Sequence, residues 1–273
     1  MYFKLIKIII SITLSFLFAS CNSNSNQLII HFIDVGQGDA TLLEFNEKTL
    51  LIDSGPNIAE EKISKYLKKN NITTINYLIA THPHEDHIGN IDYILENFKV
   101  KNFLAPKVLY ESQDFTNMIK KLQAENLKIN VISGSTKNII NLDASINIDF
   151  FSPNKKYENT NNYSPIIKLT HGNNSFLFTG DAEKEVELSI LHKNLDSDVL
   201  KVGHHGSASS STKEFLDIVT PKISIISCGI NNQFNHPHSQ TLENLNFQDS
   251  LIYRTDEDGT IILASNGKNI KKK

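Results

Sequence analysis

Arginine is nearly missing from this sequence: Arg254 stands alone among 27 basic residues. A dedicated nucleic-acid grip usually shows a basic excess and planar guanidinium forks for phosphates. The single arginine and a formal net charge of -3 argue against such a grip, without excluding a small phosphate-bearing substrate. Cysteine is almost as scarce. Cys21 and Cys228 alone supply neither a disulfide framework nor a cysteine-rich zinc module. Extreme composition is absent too: 40% of the 273 residues are apolar and 21% charged, which excludes wholesale disorder and allows a sizeable core. Histidine is what the chain has. Seven of its ten histidines fall in three short clusters, 82/84/87, 204/205 and 236/238. That points to metal chemistry on imidazole and carboxylate.

Residues 1–20 read as a signal peptide. Lys4 and Lys7 precede an apolar run over 8–18, interrupted only by Ser11, Thr13 and Ser15. The run is short for a membrane span and suits an h-region. It ends in Phe18-Ala19-Ser20-Cys21, which resembles a bacterial lipoprotein cleavage site, although that pattern prefers Leu where Phe18 stands. The resemblance implies lipidation at Cys21, export, and an anchor on the periplasmic or extracellular face of the cell envelope. The alternative is a plain cleaved signal peptide. Residues 21–27 read as a polar tether, and 28–273 as one folded domain.

Strand-like runs occur at 28–34, 41–45, 49–53, 76–81 and 100–105, with amphipathic helices expected at 59–70, 88–98 and 115–127. A β-rich middle follows at 129–132, 139–142, 146–151, 166–170 and 176–179. Helices at 182–192 and 212–219 then alternate with strands at 199–202, 223–227, 250–253 and 260–263. Meander strands followed by alternating helices and strands thus occur twice. This order predicts an α/β (α+β) chain of two similar halves, a four-layer αβ/βα sandwich with two mixed sheets inside and helices outside.

The strongest chemical signal is His82-Pro83-His84-Glu85-Asp86-His87, directly after a buried-type strand. Residues two apart in an extended segment face the same side, so His82 and His84 can face one ion. Asp86 and His87, at the turn into a helix, can face a second. Three imidazoles and a carboxylate within six positions are hard to explain as a solvated loop. Asp181, after the strand 176–179, reads by itself as a helix N-cap.

His-x-His-x-Asp-His resembles the signature of the metallo-β-lactamase fold, and other segments match that fold in order. Leu51-Ile52-Asp53-Ser54-Gly55 resembles its early strand end, which implies that Asp53 supports the histidine loop from behind. Phe178-Thr179-Gly180-Asp181 resembles the strand end whose Asp bridges two metals. The finer resemblance is to the metallohydrolase domain of ComEC-type competence proteins, carried by Phe32-Ile33-Asp34-Val35-Gly36-Gln37-Gly38-Asp39-Ala40, by Leu200-Lys201-Val202-Gly203-His204-His205-Gly206-Ser207, and by closing segments around His236-Pro237 and Tyr253-Arg254-Thr255-Asp256. It covers about 28–264. The many membrane helices of full-length ComEC proteins have no counterpart in this sequence, so transport by this chain alone is not expected.

The resemblance implies two divalent ions, zinc expected and manganese the alternative, held by His82, His84, Asp86, His87, Asp181 and one of His204 and His205. Adjacent strand residues point opposite ways, so only one of the last two is expected to ligate. Asp34 joins Asp53 as a supporting carboxylate. Asn162, Ser164 and Ser207 are expected to touch substrate. Asp86 is expected to act in catalysis, with His236 protonating a leaving group. His171 is expected to be structural, and Gly36-Gln37-Gly38-Asp39 a tight turn rather than part of a nucleotide-cofactor site. The implied activity is hydrolysis of a phosphodiester, either DNA or a small molecule, by metal-activated water. A competing reading, a non-catalytic scaffold lipoprotein with structural metals, stays open at this point. Sequence leaves the oligomeric state open as well.

Overall fold

The computed structural model describes residues 26–273 apart from 135, 137, 138 and 152–154. The expected signal peptide, Cys21 and most of the tether lie outside the described residues. A first sheet opens as a meander of Leu28–Phe32, Thr41–Phe45 and Lys48–Ile52. It continues in parallel through Tyr77–Ile79, Phe103–Pro106 and Ile129–Ile132. The second sheet repeats the scheme. Ile146–Phe151, Ile166–His171 and Asn174–Phe178 form its meander, and Val199–Lys201, Ile223–Ile226 and Leu251–Arg254 follow in parallel. The strands Ile261–Ser265 and Ile270–Lys272 then return to the first sheet beside Leu28–Phe32.

Period-2 alternation builds the layers. Leu43, Leu50 and Phe32 face the second sheet and meet Ile167, Leu169 and Phe178. Their neighbours Leu42 and Leu51 face outward onto Ile63 and Leu67 of the helix Glu60–Lys69, Ile94 of Ile91–Asn97, and Met118 and Leu122 of Gln113–Ala124. On the far side, Leu177, Leu200 and Ile226 meet Val186 of Lys184–Ser189, Phe215 and Leu216 of Lys213–Val219, and Leu245 of Ser239–Phe247. The four layers expected from sequence are therefore present. The helices carry local signals of their own. Glu60 and Glu61 open the first helix and Lys68 and Lys69 close it, as the helix dipole favours. Ser112 and Thr212 cap two others by accepting from the amides of Phe115 and Phe215.

Several elements depart from the sequence expectations. The expected strand at 139–142 is a loop, although Ile140 and Leu142 are buried in the central core. The helix expected at 88–98 is two helices, Glu85–Ile88 and Ile91–Asn97. The break follows from Asn90, whose side-chain amide donates to the carbonyls of Ser54 and Pro56, and from Gly89, where a Cβ would lie 2.5 Å from the amide of Asn57. The helix Ser239–Phe247 has no expected counterpart, because its polar sequence hides a stripe as narrow as Thr241 and Leu245. Beyond the last expected strand, the lysine-rich end pairs as the edge strand Ile270–Lys272, with Lys272 bonded to Asp258 at 2.8 Å. Among the described residues no helix is long and apolar enough to cross a membrane.

Candidate metal centre

Loops at the carboxyl ends of the parallel strands of both sheets converge on one spot, the usual place for chemistry on open α/β sheets. Asp53 follows Lys48–Ile52, the histidine loop follows Tyr77–Ile79, Asp181 follows Asn174–Phe178, and His204 and His205 follow Val199–Lys201. Asp181 lies at the centre, 2% exposed. Its Oδ1 is 3.3 Å from His87 Nε2; its Oδ2 is 3.4 Å from His205 Nε2 and 3.7 Å from both His82 Nε2 and His204 Nε2. Asp86 Oδ2 comes within 3.1 Å of His205 Nε2 and 3.9 Å of His87 Nε2. His82 Nε2 and His84 Nδ1 are 3.0 Å apart.

The surrounding groups fix how each ring faces. Asp53 Oδ2 takes His87 Nδ1 at 2.8 Å, while its carboxylate also accepts the amide and hydroxyl of Thr81. The backbone carbonyl of Ser227 takes His205 Nδ1 at 3.0 Å. Both rings then turn Nε2 inward, where the two nitrogens face each other at 3.3 Å. His204 Nδ1 meets Glu183 Oε1 at 3.3 Å and the Ser209 hydroxyl at 3.0 Å, so its Nε2 also faces Asp181.

His204 and His205 do not point apart as adjacent strand residues would. They occupy the turn Gly203–Gly206 with φ of 47° and 54°, and this left-handed pair aims both rings at the same carboxylate. The choice of one over the other, reasoned from strand geometry, therefore has no basis in the fold.

Other expectations are displaced. Asp34 is not behind the cluster: its Oδ1 accepts the amide of Gly36 and its Oδ2 pairs with Lys62. Asn162 spends its amide on the backbone of Glu183 and on Glu185. Ser164 is fully buried, accepts the amide of Asp181 and lies 3.3 Å from His82 Nδ1. Ser207 bonds within its own turn to Ser209. All three are buried, with their polar atoms engaged inside the protein. His171 is structural as expected, bonded to Ser265 and packed on Phe45.

Asp39 and Lys201 are the residues that sequence reading missed. Lys201 is 2% exposed, donates to the carbonyl of Val202 and pairs with Asp39 Oδ2 at 2.9 Å. Asp39 Oδ1 lies 3.5 Å from His205 Nδ1, and Asp39, His87, Asp181 and His205 offer atoms within 4.8 Å of one another. Asp39 and Lys201 both stand inside the motif segments quoted above, and Lys201 is also a lysine inside an otherwise apolar strand, but neither pointed to a contact between them. Gly38 makes the approach possible: at φ 143°, a Cβ there would lie 2.4 Å from the Asp86 carbonyl, which accepts the Asp39 amide.

The Metallo-beta-lactamase superfamily model matches residues 33–230, which span every group described above except those near the chain end. The chain belongs to this superfamily. It is 31% identical over 254 residues to ComE operon protein 3 of Bacillus subtilis, covering 85% of this chain and 32% of that protein. It is 32% identical over 235 residues to Recombination protein 2 of Haemophilus influenzae, covering 84% of this chain and 28% of that one. The chain thus spans about a third of the length of these relatives, and the match agrees with the ComEC-like resemblance of its motifs. Among solved structures, the metallo-beta-lactamase fold protein YhfI of Bacillus subtilis superposes with a TM-score of 0.60 at 12% identity, over 88% of this chain and all of that one, which shows the shared fold.

The donor set suits the divalent ions of a metallo-beta-lactamase fold. Asp181 Oδ1 and Asp39 Oδ1 are buried without a hydrogen bond, and two inward Nε2 atoms oppose each other, which only a proton or a cation between them relieves. Electrostatics agree. Burial alone would raise the Asp181 carboxyl, yet His205 and His87 hold it well below its ordinary range. Burial alone would lower His87, yet Asp181 and Asp53 push it well above. A site so rich in carboxylate collects positive charge. His236 stands at the rim, its ring 5.5 Å from that of His204. Burial, then His205 and His204, bring it down to about 4. That direction favours the neutral ring near pH 7 and counts against the stored proton expected for a leaving group.

Proposed function

We propose that the chain is an exported, metal-dependent phosphodiesterase. The observation that carries this reading is Asp181, whose two oxygens face separate imidazoles from the histidine loop and from the His204–His205 turn. His82, His84 and His204 would hold one ion and Asp86, His87 and His205 the second, with Asp181 shared between them. When bound, zinc or manganese supplies activated water at neutral pH and positive charge for phosphate oxygens. The chain's own part is placement. Asp53 and the Ser227 carbonyl orient the inner rings, Glu183 orients His204, and the Lys201–Asp39 pair fixes the floor beneath His205. Neutral His236 is placed at the rim to hydrogen-bond a phosphate or leaving-group oxygen. The competence-protein relatives favour a phosphodiester over other substrates, with DNA or a small diester both open to test.

The test is turnover of ethyl p-nitrophenyl phosphate and of an oligonucleotide with added Zn²⁺ or Mn²⁺. Asp181→Asn keeps the shape and removes the central charge. It should cost about 10²-fold or more, on the order of 3 kcal/mol of barrier. Metal-loaded wild type no faster than Asp181→Asn on every diester would overturn the reading and favour the scaffold lipoprotein. Export and anchoring through Cys21 rest on the sequence pattern alone. Mass spectrometry of the native protein should find a lipidated Cys21 at the mature N-terminus, and Cys21→Ala should leave the membrane fraction. A native chain unmodified at Cys21 would remove the anchor from the account.

A further inference from the structure

The rings of the site form a continuous row. From His84 the centroids step 4.6 Å to His82, 4.1 Å to His87, 5.2 Å to His205 and 6.3 Å to His236. An aromatic residue ends the row on each side. Tyr110 meets His84 at 5.4 Å, and Phe234 stacks on His236 at 5.5 Å with an interplanar angle of 25°. Neither is a ligand type for a zinc centre, and neither is packed away. Phe234 remains 48% exposed although one face lies on His236, so its other face is open. Leu109 and Ile230, near these two in the chain, are 92% and 73% exposed.

Phe234 is also held in place. Asn232 accepts the amides of Phe234 and His236 and donates to the carbonyls of Gly229 and His236. His238 donates from Nε2 to the Phe234 carbonyl while its Nδ1 accepts the amide of Ala208. Six hydrogen bonds around one loop keep an apolar ring open to water beside a charged centre. An open aromatic face of this kind costs solvation and has no part in the core; what it matches is the flat face of another ring.

We propose that Tyr110 and Phe234 are stacking platforms for the nucleobases on either side of the bound phosphate, which makes single-stranded polynucleotide the preferred substrate class. This rests on the phosphodiester reading and adds to it. Every base has a π-face, so stacking at the two ends tolerates any sequence. A duplex keeps its bases stacked on one another and cannot lend them to Tyr110 and Phe234. The platforms also supply grip in a chain with one arginine, whose side chain is spent on Asp256 and Glu257.

The experiment compares thymidine hexanucleotide with an abasic strand of the same length and charge. Binding is read by competition on phosphorothioate versions, and cleavage by product formation on ordinary strands, both with Mn²⁺. Wild type should prefer the base-bearing strand by on the order of tenfold or more. Phe234→Ala and Tyr110→Ala should each shrink that ratio several-fold, and Phe234→Trp should keep it. The ratio cancels any loss common to both strands, including an indirect effect on His236. If Phe234→Ala fails to fold, Tyr110→Ala and Phe234→Trp carry the comparison. Wild type treating the two strands alike, or Phe234→Ala discriminating like wild type, would overturn the proposal. Base preference in binding without cleavage of either strand would sink the hydrolase reading and leave the platforms standing. Cleavage without base preference would do the reverse.

Discussion

At the scale of single residues, the buried pair of Lys201 and Asp39 separates this site from a simple ring of ligands. An ammonium 2% exposed and its carboxylate 2.9 Å away lie directly behind His205. Removing one member of such a pair leaves the other charged and unpaired in the interior, which typically costs about 3–5 kcal/mol. Lys201→Met should therefore lower the midpoint of thermal unfolding, by very roughly 6–20 °C for a chain of this size. Metal affinity should fall as well, because Asp39 loses the partner that fixes it. Unchanged melting and metal affinity in Lys201→Met would show the pair to be incidental. His82, His84, His87 and Asp181 were legible from sequence because their types and order are specific to this chemistry. Asp39 was not legible as part of the site. Its significance depends on a turn that brings it across to a lysine 162 positions later, and neither residue type is diagnostic alone.

Elements matter through how they end. Each side chain that faces Asp181 comes from the carboxyl end of a strand, and the turns there carry the unusual backbone. The left-handed pair His204 and His205 shows why strand reasoning failed: alternation applies inside a ladder and stops at its last bonded residue, Lys201. The same limit applied to the expected helix 88–98, where local periodicity ran past a glycine pressed on a neighbouring backbone. The four layers were readable because Leu42 and Leu43, or Leu50 and Leu51, sort cleanly to opposite faces. Gly38 gives the sharpest test at this scale. Its added methyl would sit 2.4 Å from the Asp86 carbonyl, so Gly38→Ala must push the Asp39 turn away from the histidine loop. We expect a loss of about 1–3 kcal/mol in urea unfolding, as for overpacking elsewhere, together with weakened metal binding. A Gly38→Ala protein that binds metal like wild type would mean that the two loops can separate freely.

For the whole molecule, two similar half-sheets face each other across one apolar core and present their loop ends on the same edge. Phe32 of the first sheet and Phe178 of the second stack 6.2 Å apart, just beneath the loops that carry Asp39 and Asp181. The central claim is that this edge assembles one metal centre from both halves, with the histidine loop from the first and Asp181, His204 and His205 from the second. Metal content per chain after dialysis against Zn²⁺, followed by buffer alone, tests it most directly. The account predicts close to two zinc ions for wild type, at most one for His87→Ala, and reduced retention for Asp181→Asn, with all three proteins folded by circular dichroism. Folded wild type that retains no zinc, or a His87→Ala variant that retains as much as wild type, would contradict it.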